Sequence, residues 1–212
     1  MSLRSVGLII SESKIIFVHI PKCAGKSVKR SLLNAGHNGG HHAYPSDIIK
    51  KYPQEWEDFF RFTIVRNPWS RLVSGFFFFK NIAMARWKDR KSQNKHQRLF
   101  RDIFKWNFGT FVRKFEQYQK SIYKINFFVP QSKWLFDESG EPYKYDYIGR
   151  TEKLKKDIDF LARELDIKNN TPIDHLNSTE HGPYFQYYNK ETEKIVANIY
   201  EKDIKYLGYK FR

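Results

Sequence analysis

Ile15-Ile16-Phe17-Val18-His19-Ile20-Pro21-Lys22-Cys23-Ala24-Gly25-Lys26-Ser27 is the stretch whose reading decides the fold. Ile15 to Val18 is a short apolar run of β-branched and aromatic residues, the pattern of a strand buried on both faces. Pro21 ends it, and the small residues Cys23, Ala24 and Gly25 make a turn. Ser27 to Leu33 then reads as a helix with Val28 and Leu32 on one face. A strand feeding a small-residue loop and a helix N-terminus makes a phosphate cradle. The loop amides and the helix dipole both favour an anion there.

This loop departs from the Walker A pattern. That motif needs a glycine five residues before the Gly-Lys-Ser ending, and Ile20 occupies the position. A lysine, Lys22, stands inside the loop instead. The expectation is phosphate binding without the usual nucleoside triphosphate and magnesium arrangement.

A second stretch extends the argument. Phe62 to Val65 reads as another buried strand, with Arg66 at its carboxyl end. Asn67-Pro68 opens a helix, since proline is tolerated in a first turn. Ser74 lies two helical turns beyond Arg66. Ligands of open α/β sheets sit at the carboxyl ends of strands. Lys22 and Arg66 both fall there, so two cationic grips face one ligand carrying phosphates at two separated positions.

With these residues in view, the chain resembles the sulfotransferases. Pro21 to Ser27 is similar to their 5′-phosphosulfate loop, and Arg66-Asn67-Pro68 with Ser74 to their 3′-phosphate motif. The nearer resemblance is to the carbohydrate branch, which includes the chondroitin, dermatan and heparan 2-O enzymes and many bacterial relatives. It continues through Pro130-Gln131, Asp146 to Arg150, and Tyr206-Leu207-Gly208-Tyr209. Lys26 departs from the family, which usually has a small hydroxyl residue there.

The resemblance implies a P-loop-like, three-layer α/β fold with a central parallel sheet flanked by helices. It implies 3′-phosphoadenylyl sulfate (PAPS) as sulfo donor, 3′,5′-ADP as product, and a carbohydrate hydroxyl as acceptor, with no metal. Lys22 would stabilise the leaving phosphate. The loop residues Cys23 and Ala24 would line the cradle, and Gly25, Lys26, Ser27 and Val28 would donate backbone amides to it. Arg66 and Ser74 would hold the 3′-phosphate, and Arg150 would add a cation or serve a structural ion pair. The base is sought in Gly40-His41-His42-Ala43, after the first helix, where heparan 2-O enzymes carry a comparable histidine pair. His42 is preferred and His41 is the alternative. His19 reads as a hydrogen-bonded core histidine, and His175 and His181 as acceptor-side loop residues. Cys23 fits as a small residue in a tight loop, and Trp69 and Phe76 to Phe79 as core.

Composition bounds the rest. At 212 residues the chain is expected to be a single domain, 1–212. One cysteine excludes an internal disulfide. No apolar run is long enough to span a bilayer, and residues 1–10 lack the pattern of a signal peptide, so a cytoplasmic, bacterial-like protein is expected. The net charge of +15 suits a multiply charged nucleotide and an acidic acceptor. Nucleic-acid motifs are absent from the sequence, and no nucleic-acid partner is expected. The basic stretch 84–98 reads as a solvated helix face, a lid or an acceptor rim. Helices are further expected at Asp47–Tyr52, Leu99–Phe108, Phe111–Tyr118 and Leu154–Leu165, with the second and third broken at Gly109-Thr110, and around Ile195 to Tyr200. Two other functions fit a phosphate cradle: a P-loop kinase-like phosphotransferase, or a non-catalytic nucleotide- or polyanion-binding protein.

Overall fold

The computed structural model describes residues 8–32, 42–87, 103, 105–167 and 181–212. The chain divides into two compact units, each discontinuous in sequence. One is Met1–Arg66 with Gln131–Asn177, and the other is Asn67–Pro130 with Ser178–Arg212.

The first unit is built on a four-stranded sheet. Its strands β1 (Leu8–Ile10), β2 (Ile15–Val18), β3 (Phe60–Val65) and β4 (Tyr147–Arg150) lie side by side in chain order. β2, β3 and β4 are parallel, and β1 adds an antiparallel edge to β2. The fold is thus α/β as expected, with one strand reversed. The register sets Val18 opposite Thr63, Thr63 opposite Ile148 and Val65 opposite Arg150. The carboxyl ends of the three parallel strands therefore finish within two residues of one another.

Why these stretches form strands follows from burial. Leu8, Ile10, Ile15, Phe17, Phe62 and Ile64 point to one face. There they pack on Val28 and Leu32 of α1 (Gly25–Ser31 and its cap) and on Ile158, Leu161 and Ala162 of a later helix, Leu154–Glu164. The alternate residues Ile9, Ile16, Val18, Thr63 and Val65 are buried as well. Strands covered on both faces carry unbroken apolar runs rather than alternation.

Arg61 is the exception on that second face. It is buried, and its guanidinium forms a two-point pair with Asp146 (2.9 and 3.2 Å) and donates to Trp56 O. Trp56 belongs to α3 (Pro53–Asp58), which follows α2 (Pro45–Lys51). Both open on a proline that needs no donor in a first turn.

The second unit is helical and aromatic. It contains α4 (Pro68–Trp87) and α5 (Phe108–Ile122). The short α6 (Ser132–Leu135) and α7 (Leu154–Glu164) return to the first unit. α8 (Lys190–Ile199) and α9 (Glu201–Leu207) complete the second. Trp69, Leu72, Val73, Phe76 and Phe79 form a stripe along α4 at helical spacing and share one core with Phe111, Phe115, Phe128, Val196 and Tyr200. Trp69, Phe76 and Phe79 are thus core, as expected.

The break expected at Gly109-Thr110 does not occur there. α5 starts at Phe108, and the Asn107 side chain caps it by accepting from Thr110 N at 2.8 Å. Glycine in a first turn is tolerated once a cap satisfies the open amides. Of the basic stretch, 84–87 continue α4, and 88–98 lie outside the described residues. Among the described residues, no helix is long and apolar enough to cross a membrane.

Candidate active site

β2 ends at Val18, and the chain turns through His19 to Ala24 before α1 begins. Cys23 N donates to Ile20 O at 3.3 Å and closes the turn. Two non-glycine residues in it are left-handed, Lys22 at φ +67° and Ala24 at φ +56°. Each carries a Cβ penalty of about 1 kcal/mol, which the surrounding contacts must offset. Such kinks turn successive amides toward one point, the geometry that holds anions.

α1 has no side-chain cap at Ala24 and no acidic residue in its first turn. Its positive end is therefore set against no protein carboxylate of its own. Val28 N donates to Ala24 O at 3.1 Å, so this amide belongs to the helix ladder. The first-turn amides are those of Gly25, Lys26 and Ser27.

Gly25 is required by its neighbour. A Cβ there would stand 1.8 Å from His19 Nε2. The imidazole thus rides directly over the glycine at the start of α1, and it stacks on Phe17 beneath. His19 is buried, and its Nδ1 has no hydrogen-bond partner among the described residues. The expectation of a core histidine holds, but the expected hydrogen bond is missing at that nitrogen. Burial first, then the positive charges of His42, Lys29 and Lys22, hold its pKa well below 6.5.

That shift gives a pH prediction. The folded state keeps His19 neutral, whereas the unfolded chain protonates it near 6.5. Below that pH the unfolded state binds more protons. The stabilisation is full above pH 6.5 and falls with pH until the lower folded-state pKa is reached. The slope is at most about 1.4 kcal/mol per pH unit. Urea unfolding at pH 7.5 and pH 5 should show the loss, and His19→Asn should flatten it. Equal slopes in the two proteins would remove His19 as its source.

His42 faces this group. Its Nδ1 lies 3.2 Å from His19 O, and the two rings are 4.3 Å apart. A carbonyl oxygen only accepts, so Nδ1 carries the proton. Nε2 is then the basic nitrogen of the neutral ring.

Arg66 follows β3. Its Nη1 donates to Lys22 O at 3.3 Å, which links the end of β3 to the loop after β2. Gln131 holds the Arg66 backbone from both sides. Arg66 N donates to Gln131 Oε1 at 2.9 Å, and Gln131 Nε2 donates to Arg66 O at 2.8 Å. The same Oε1 accepts from Cys23 Sγ at 3.3 Å. Gln131 is fully buried. Its sequence signal is the Pro130-Gln131 pair within the family resemblance; nothing in the local pattern announces a buried amide with partners 65 and 108 residues away.

Arg150 ends β4 beside Val65. Its amide donates to Asp157, whose other oxygen accepts from Tyr147 Oη at 3.0 Å. Burial and that carboxylate push the Tyr147 phenol up to about 12.

The structure therefore brings Lys22, Cys23, Ala24, Gly25, His42 and Arg66 together at the carboxyl edge of one sheet, with Arg150 ending the neighbouring strand. Ser74 is buried on α4 in the second unit. His181, also in that unit, stacks on Phe77. His41 and His175 lie outside the described residues.

A sequence model described as the sulfotransferase family matches residues 8–210. Searches of curated proteins and of solved structures give no significant match.

Proposed function

Since the chain belongs to the sulfotransferase family, we propose that it moves a sulfo group from PAPS to a carbohydrate hydroxyl, in line and without a metal. The observation that carries the reading is the contact between the two phosphate motifs. Arg66 Nη1 holds Lys22 O, so a nucleotide gripped at both phosphates meets a connected set of cations and amides. The donor supplies an activated sulfo group on a phosphate leaving group. Every other requirement falls to the protein: alignment, charge stabilisation and proton removal.

The amides of Gly25, Lys26 and Ser27 take the 5′ side of the nucleotide, within the loop that Cys23 and Ala24 shape. Lys22 sets its ammonium where negative charge grows on the leaving phosphate. Arg66 takes the 3′-phosphate with a charged fork. Arg150 adds a positive charge at the end of the next strand. His42 receives the acceptor proton at Nε2, and the His19 carbonyl fixes the tautomer that makes this nitrogen basic. An acidic glycan suits a protein of net charge +15.

Calorimetry with 3′,5′-ADP in excess EDTA tests the donor. Tight binding is expected, with ATP and magnesium competing poorly. Arg66→Ala should weaken that binding by about 2 to 4 kcal/mol, since a charge-assisted phosphate contact is lost and an anion is left underpaired. Binding that disappears with EDTA, or equal competition by ATP, would overturn the assignment.

A further inference from the structure

We infer that Gln131 is a positioning residue that couples the two phosphate grips, an inference that rests on the nucleotide reading above. Three observations carry it. The side-chain amide pairs with both backbone groups of Arg66, as a neighbouring strand would (2.9 and 2.8 Å). This continues the ladder one residue beyond the last strand pair, Val65 with Arg150. The same Oε1 holds the Cys23 thiol at 3.3 Å, inside the loop that carries Lys22. Gln131 is fully buried, so each bond it makes replaces one that water cannot supply.

The geometry has a chemical consequence. Arg66 begins a connection, where backbone is ordinarily free to adjust. Clamped at N and O, its Cα is fixed, and so is the direction in which the guanidinium leaves the sheet. The thiol contact fixes the loop against the same amide. One side chain thus sets the separation between the Lys22 loop and the Arg66 fork. At neutral pH an amide offers a donor to Arg66 O and an acceptor to Arg66 N and Cys23 Sγ at once, whereas a carboxylate offers acceptors alone.

Two ligands separate this role from general support of the fold. 3′,5′-ADP engages both grips, whereas 5′-AMP engages the loop alone. Gln131→Met should weaken 3′,5′-ADP by roughly tenfold to a hundredfold, the effect of unpaired buried groups. Its effect on 5′-AMP should be much smaller. The fall in affinity of Arg66→Ala should shrink in the double variant, because a fork already misaligned has less to lose.

Gln131→Glu covers the case in which the methionine variant fails to fold. A carboxylate cannot donate to Arg66 O, but a protonated carboxyl can. The ratio of variant to native affinity for 3′,5′-ADP should therefore be low at pH 8 and recover toward pH 5.5. Equal loss for both nucleotides, additive loss in the double variant, or a pH-independent ratio in Gln131→Glu would overturn the coupling role. A native protein that binds neither nucleotide would instead remove the nucleotide reading itself.

Discussion

His42→Ala is expected to lose on the order of 10² to 10⁴ in turnover while keeping its affinity for 3′,5′-ADP. The expectation comes from the tautomer. The His19 carbonyl is bound to Nδ1, and Nε2 is left as the nitrogen that accepts a proton. The contact also orients the ring, so His42→Gln should recover little: it can keep a hydrogen bond but not the basicity. His42 is half-buried and not part of either hydrophobic core, so the variant should fold normally. Single-turnover rates with saturating donor make the measurement. The native pH–rate profile should show a basic limb, and that limb should vanish in the variant. Near-native turnover in His42→Ala would transfer the base to another group.

Lys22→Ala should lower turnover by roughly 10² to 10³, with a smaller change in 3′,5′-ADP affinity. The backbone makes this substitution informative. Lys22 sits at φ +67°, where any Cβ is strained. Alanine keeps the Cβ and therefore the strain, so the change removes the charged stem and leaves the loop conformation in place. Lys22 O, the acceptor for Arg66, is also retained. In the proposed reaction the ammonium would matter most once the leaving phosphate gains charge, and an interaction made chiefly in the transition state appears in turnover. A loss of affinity as large as the loss of turnover would make Lys22 a ground-state binding residue instead.

These groups were legible to different degrees, for physical reasons. β2 and β3 show as apolar runs because both faces of a parallel sheet are covered. Lys22, Gly25 and Arg66 follow those runs directly, so strand position located them. The stripe of Leu154, Ile158 and Leu161 likewise marks α7. β1 was missed because three residues, Leu8 to Ile10, are too few to show a period. The start of α5 was misread because Gly109 looks like a breaker until the Asn107 cap is seen. Gln131 and His19 were recognised as residues but not in what they do. The role of Gln131 depends on partners far away in sequence, and that of His19 on how the loop folds its ring back over Gly25, which residue types alone do not encode.

The buried pair of Arg61 and Asp146 has a consequence for how the chain acquires its structure. β1 and β2 form a hairpin closed by a four-residue turn, and such local pairing is fast. β3 joins across 45 residues, and β4 across 85. Each longer closure costs more chain entropy before any contact repays it, so the rate of sheet completion is set by its last strand. During synthesis, a chain that has reached β3 but not residue 146 carries Arg61 without its carboxylate. It also presents Phe60–Val65 as an edge with no neighbour on one side. An apolar edge of that kind recruits other strands. The interval between the emergence of residues 65 and 150 is therefore the window in which nascent chains are most exposed to aggregation, and in which a chaperone that masks β3 would raise the yield of folded protein.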